Sequence, residues 1–301
     1  MFEALFKMTR PVNIVIAIIT LVVGYVLLNF PSSYFIPDDC NSDLDWINWR
    51  LVFIQTLAFA FAIGFANIQN DILDLESDKM NRPERSLVTG KVSVKAARIT
   101  WITLFVLMLL FGLESFPLVL FFPVLGLLLM AYNKWLKHIP LLKNMTVAFL
   151  CTTPLLLPLF HFLAHTRNPN PENYIWAIIP AIPFAFLLTT AREIYKDLED
   201  ETGDLKAGIM TFPLIAGAAT ARRLAGAIIL FTWISLPLPV FYMDKVFGHN
   251  YPMLFLIVTG AALTPIFAVI LFSANRKNYR RAQSLTKLAM FAGLIALIVC
   301  C

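Results

Sequence analysis

The sequence predicts an all-α, polytopic membrane protein with nine transmembrane helices and a cytoplasmic N-terminus. Three observations carry that prediction. Hydrophobic residues make up 59% of the chain and charged residues only 14%, whereas a soluble domain carries about 25% charge. Apolar runs of about 20 residues, enough to cross a bilayer core, recur from end to end. The cations are also sorted: 21 of the 24 Lys and Arg fall on alternate connections between those runs, as the positive-inside rule requires of cytoplasmic loops.

In chain order the spans fall at 11–30, 51–70, 97–113, 116–132, 145–164, 174–192, 223–242, 253–272 and 284–301. The first reads as a retained helix and not a cleaved leader, because its apolar run continues to Phe30 without a small-residue cleavage site. Between the third and fourth spans only Glu114, Ser115 and Pro117 interrupt the apolar character. With the N-terminus inside, the outer side keeps only Arg50, Arg167 and Lys245. The formal net charge of +5 is therefore a topology signal and gives no reason to expect nucleic-acid binding. The whole of 1–301 reads as one membrane domain.

The four cysteines, Cys40, Cys151, Cys300 and Cys301, form no CxxC pair and read as free thiols. His161 and His165 lie four apart without a third ligand nearby. They read as packing residues, as do His138 and His249. Most of the 26 Phe read as core or lipid-facing side chains.

The acids are distributed far less evenly. Eleven of the 19 Asp and Glu occupy two short inner stretches, 71–84 and 193–204. Asp71, Asp74 and Asp78 are separated by three and four residues, and Asp197, Asp200 and Asp204 repeat that spacing. On a helix such positions share one face. A polar residue stands four positions before each first Asp, Asn67 in one stretch and Glu193 in the other. Glu76 lies off the shared face and reads as solvated.

Three carboxylates on one face repel one another unless a cation neutralises them. Mg²⁺ suits such a place, since it takes one or two carboxylates and fills its other positions with water and substrate phosphate. Arg82, Arg85, Arg192, Lys196 and Lys206 interleave the acids and are candidates to meet phosphate oxygens. Two other readings use the same residues: solvated cytoplasmic loops, and a cation-coupled transporter. Equal spacing in two copies argues against the first. Placement at inner helix ends instead of mid-span argues against the second.

These residues resemble the UbiA superfamily of intramembrane prenyltransferases. The stretch Asn70-Asp71-x-x-Asp74-x-x-x-Asp78, then Asn81-Arg82-Pro83-x-Arg85 and Gly90, is similar to its first signature. Arg192-Glu193-Ile194-x-Lys196-Asp197-x-x-Asp200-x-x-Gly203-Asp204, with Gly208, Thr211 and Pro213, is similar to its second. Tyr132 to Lys137 and Asn144 resemble a further motif after the fourth span. Within the superfamily the second stretch looks most like the digeranylgeranylglyceryl phosphate synthases. The long first outer loop and Leu87 to Thr89 depart from that group's pattern.

The resemblance implies a helical bundle around a central cavity, with its active site toward the cytoplasm. It implies Mg²⁺-dependent transfer of a geranylgeranyl group from geranylgeranyl diphosphate to geranylgeranylglyceryl phosphate, giving an ether lipid. The alternative within the same chemistry is an aromatic acceptor of the quinone pathways, such as 4-hydroxybenzoate. Asp71, Asp74, Asp78, Asp197, Asp200 and Asp204 are the expected metal and catalytic residues, with Glu193 in support or as base. Asn67, Asn70, Arg82, Lys137, Arg192, Lys196 and Tyr195 are the expected substrate contacts. The donor's tail requires an apolar tunnel open to membrane lipid.

Overall fold

The structure is a computed structural model that describes residues 1–29, 47–115, 118–165, 175, 178–206, 208–238, 257–264 and 275–300. Most of the first outer loop, Cys40, Cys301, Arg167, Lys245 and His249 lie outside the described residues. The described residues are helical with connecting turns, and helix lies within every one of the nine predicted intervals. The helices are α1 (Phe2–Met8), α2 (Pro11–Asn29), α3 (Trp49–Leu73), α4 (Leu75–Asn81), α5 (Val94–Gly112), α6 (Phe121–Lys134), α7 (Leu142–His165), α8 (Ala181–Lys206), α9 (Phe212–Ala216), α10 (Ala218–Ser235) and α11 (Arg276–Cys300). Four of them, α2, α3, α5 and α7, are long and apolar enough to cross a membrane.

The chain divides into two compact units, one of Met1–Val22 and Ile47–Lys137, the other of Val23–Trp46 and His138–Cys301. In the first unit α3 packs on α5 and α6. Asn48 caps α3, its side chain accepting from the Leu51 N–H, and Ser93 caps α5 by accepting from the Ala96 N–H. Small residues let the helices close: a Cβ on Gly112 would lie 2.8 Å from the Phe122 side chain, and one on Gly126 would lie 2.8 Å from Met108. Ile99, Ile102, Val106, Leu110 and Leu113 form an exposed apolar stripe on and just beyond α5. Steps of three and four make that stripe one helix face, and an exposed apolar face suits contact with lipid. Arg50 and Glu114 form an ion pair at 3.6 Å, so the start of α3 and the end of α5 meet at one end of this unit.

In the second unit α8 is central, packed by α7, α10 and α11. Ala221 and Ala225 of α10, and Ala282, Ala289 and Ala296 of α11, are buried in its core. Such small residues permit the close approach by which membrane helices pack. Pro154 lies inside α7 and cannot bond the carbonyl of Leu150. The Thr153 hydroxyl donates to that oxygen instead, at 2.7 Å, which is how a membrane helix tolerates an interior proline.

One boundary differs from the sequence expectation in a way that matters. The sixth span was expected to end near 192, with the acids sharing a helix face at its inner end. Instead α8 runs unbroken to Lys206. Asp197, Asp200 and Asp204 are thus placed by a helix.

Candidate active site

The first acidic cluster is built where α3 ends. Asp74 leaves the helical conformation at φ −91° and ψ 6°, and α4 restarts at Leu75. That break separates the three carboxylates expected on one face. Asp71 and Asp78 converge on a single guanidinium: Arg85 Nη1 donates to Asp71 Oδ1 at 2.9 Å and to Asp78 Oδ2 at 2.5 Å. Arg10 reaches the same Asp71 oxygen at 3.4 Å, from a backbone held at φ 55°. A left-handed non-glycine residue costs about 1 kcal/mol or more, and this one turns the chain between α1 and α2.

Asp74 takes other partners. Lys137 Nζ donates to its Oδ1 at 2.5 Å, and Asn70 Nδ2 donates to its Oδ2 at 2.9 Å. Lys137 is delivered by a short 3₁₀ turn after α6. That helix is pinned to α3 by Asn133, whose Nδ2 donates to the Ala66 carbonyl and to Gln69 Oε1, both at 2.9 Å. Glu76 is exposed and, among the described residues, pairs with Lys79, as expected of a residue that reads as solvated.

The second cluster rides on α8. Asp197 is buried, and both its oxygens are engaged: Lys143 Nζ donates to Oδ1 at 2.6 Å and Asn144 Nδ2 to Oδ2 at 3.0 Å. Both donors come from the first turn of α7, entered through Leu141 at φ 63°. Glu193 is buried against Arg192 at 2.5 Å and Lys196 at 3.6 Å. Asp200 and Asp204 are half-buried and make no ion pair among the described residues. Burial pushes the Asp204 carboxyl up to about 6, with Asp197 and Asp200 acting in the same sense and Lys143 and Lys196 opposing. Asp197 is raised too, because burial outweighs the Lys143 ammonium.

Several expected substrate contacts lie elsewhere. Asn67 Nδ2 donates to the Thr9 carbonyl at 3.1 Å, which ties α3 to the end of α1. Arg82 is exposed, and Arg85 is the arginine of that loop that meets the acids. Tyr195 is buried against Tyr279 of α11, ring centroids 6.3 Å apart. At about 100° per residue it lies on the side of α8 away from the acids. Arg10, Lys143 and Asn133 are not among the residues singled out from the sequence, whereas Arg85 is named there among the interleaving cations. Asn144 appeared only as part of a motif. Arg85 was visible by its placement within a charged motif. The others lie far from the acids in sequence and carry no local signal.

Among the described residues no three metal-binding side chains converge on one point. What each cluster offers is one or two carboxylates beside fixed cations. That donor set fits Mg²⁺, a hard ion that keeps waters and substrate phosphate oxygens among its ligands. The half-buried Asp200 and Asp204, which make no ion pair among the described residues, fit it best.

Comparison with known proteins follows the same line. The UbiA prenyltransferase family pattern matches residues 42–295. The chain belongs to the UbiA prenyltransferase family. This UbiA prenyltransferase is 30% identical to the digeranylgeranylglyceryl phosphate synthase of Methanobrevibacter smithii, over 97% of this chain and 96% of that one. It is 30% identical to that of Hyperthermus butylicus, over 99% and 96%, and 34% identical to that of Methanosarcina mazei, over 78% and 77%. A solved structure of a digeranylgeranylglyceryl phosphate synthase superposes with TM-score 0.74 at 23% identity, covering 99% of this chain and 97% of that one. A UbiA homologue from Archaeoglobus fulgidus bound to GPP and Mg²⁺ superposes with TM-score 0.67 at 18% identity, over 98% and 99%. At those identities the structural likeness establishes the shared fold of an integral membrane protein.

Proposed function

We propose that the protein transfers a geranylgeranyl group from geranylgeranyl diphosphate to geranylgeranylglyceryl phosphate, forming an ether lipid, with Mg²⁺ as cofactor. The observation that carries this reading is the near full-length match to digeranylgeranylglyceryl phosphate synthases, in a chain whose two acid-rich motifs are set among cations. We assign Asp74, Asp78, Asp200 and Asp204 to the metal. Asp71 and Asp197 hold Arg85, Arg10 and Lys143 in place. When bound, Mg²⁺ would neutralise charge on the departing diphosphate.

The chain's own residues do the rest. Lys137, Arg192 and Lys196 present positive charge to the diphosphate or to the acceptor phosphate. Preorganised cations in a water-poor site are worth several kcal/mol as the C1–oxygen bond breaks. Glu193 is already engaged by Arg192 and Lys196, so its assigned role is to orient them. The acceptor hydroxyl oxygen bonds C1 as the C1–diphosphate bond breaks, and its proton passes to the departing diphosphate. We read residues 1–301 as one domain crossing the membrane nine times, with the N-terminus and both acidic clusters on the cytoplasmic side. The charge sorting supports that topology, and so does the Arg50–Glu114 pair, two residues assigned to the outer side.

Membranes containing the protein, incubated with labelled geranylgeranyl diphosphate, test the reading. Product is expected with geranylgeranylglyceryl phosphate, abolished by EDTA and restored by Mg²⁺. Product formed solely from 4-hydroxybenzoate would replace the lipid acceptor with an aromatic one.

A further inference from the structure

We propose that Glu199 is a positioning residue for the second acidic cluster, clamped from behind by Arg280 and Gln283 of α11. The proposal rests on reading α8 as the helix that carries metal ligands. At about 100° per residue, Glu193, Asp197, Asp200 and Asp204 fall within a band of about 60°, and Glu199 lies about 130° from its centre. Glu199 is therefore an acid of the motif that faces away from the site.

It is nonetheless buried, and both its oxygens are taken. Arg280 approaches Oε1 with Nε at 2.8 Å and Nη2 at 2.7 Å, and Gln283 Nε2 donates to Oε2 at 2.7 Å. A two-pronged guanidinium contact plus an amide fixes direction as well as distance. The first half of α11 carries Arg276, Lys277, Arg280, Arg281 and Lys287 and no acid, so a carboxylate partner for Arg280 comes from another helix. Two further contacts continue the seam, Tyr195 on Tyr279 and the Thr189 hydroxyl on the Met290 sulfur at 3.8 Å.

Rotation of α8 about its own axis is what aims Asp197, Asp200 and Asp204. Lys143 and Asn144 of α7 hold Asp197 on one side of α8, and the Glu199 clamp holds the other. Groups that orient metal ligands without touching the metal typically change metal affinity by about 10- to 100-fold.

The test uses the full-length protein in detergent and Mn²⁺ as an electron-paramagnetic-resonance probe of the divalent site, with thermal melting measured in parallel. Glu199→Ala and Glu199→Gln are each expected to weaken Mn²⁺ binding, the Ala variant by about tenfold. The exchange of Glu199→Arg with Arg280→Glu is expected to return affinity to within about threefold of the parent. Unchanged Mn²⁺ binding with only a lower melting temperature would make the contact merely structural and overturn the proposal. If Glu199→Ala does not fold, Glu199→Gln decides by the same titration. Because binding is read without turnover, a parent protein that binds Mn²⁺ yet transfers no prenyl group would sink the functional reading above and leave this clamp to be judged by the titration.

Discussion

The two acidic clusters share a spacing and differ in nearly everything built on it. In the first, a helix break at Asp74 divides the carboxylates, and each one already has a cation: Arg85 and Arg10 for Asp71, Lys137 for Asp74, Arg85 for Asp78. In the second, an unbroken helix carries the acids. On the site face Asp197 and Glu193 are neutralised, while Asp200 and Asp204 make no ion pair among the described residues. One sequence pattern has thus yielded a charge-balanced cluster and a charge-deficient one. The lesson is that equal spacing does not give equal charge: under the proposed assignment, Asp200 and Asp204 would meet a metal ion without first giving up a cation, whereas Asp74 and Asp78 would have to share one.

The largest expected effect follows directly. Asp200→Asn or Asp204→Asn should lower prenyl transfer by about 10²-fold or more, with a raised Mg²⁺ requirement, measured on purified protein with labelled donor. Asp71→Asn should cost chiefly stability. Equal Mg²⁺ shifts for Asp71→Asn and Asp204→Asn would erase the distinction drawn between the clusters.

Next in size is the loss of Arg85. Arg85→Met strands Asp71 and Asp78 with one weaker partner between them, and removing one member of a buried ion pair costs about 3 kcal/mol or more. Lys143→Met leaves Asn144 on Asp197, so it should cost less, about 1–2 kcal/mol. Thermal melting of the two variants in one detergent checks the order. A larger loss for Lys143→Met would reverse it.

The pH response of the metal-free protein is smaller and has a definite sign. Asp204 is raised from 3.8 to about 6, so the folded state favours its protonated form. Its contribution to stability is present below about pH 4 and is lost as pH rises through about 6. In EDTA, the melting temperature of the wild type relative to Asp204→Asn should therefore fall between pH 4.5 and 7. A flat difference would show that Asp204 is not the half-buried, cation-poor acid described above.

The smallest effects concern residues the site leaves out. Tyr195→Phe removes a hydroxyl from the α8–α11 seam and should leave turnover within about twofold, since deleting an unused polar group can be nearly neutral. Asn67→Ala should cost about 1 kcal/mol through the lost Thr9 contact. A hundredfold loss of turnover in either variant would return that residue to the substrate.

Class, membrane residence and the two acid motifs were legible because each is a local property. Apolar runs announce helices, loop cations announce sidedness, and a three-four spacing announces a helix face. The same locality misled in two places. The spacing of Asp71, Asp74 and Asp78 suggested one continuous face, but the break at Asp74 lies in dihedral angles that spacing does not encode. The end of the apolar run suggested that the sixth span stops near 192, but α8, packed against α7, α10 and α11, continues to Lys206.

What the chain's order of residues carries, then, is the family, the helical membrane architecture and the identity of the acids. Which cation answers which acid was decided by folding. Lys143 is 54 residues from Asp197, and Arg280 is 81 from Glu199. No local pattern links such pairs. They meet because apolar burial and close helix packing bring their helices together, and only then does a carboxylate, costly to bury alone, select the charge beside it.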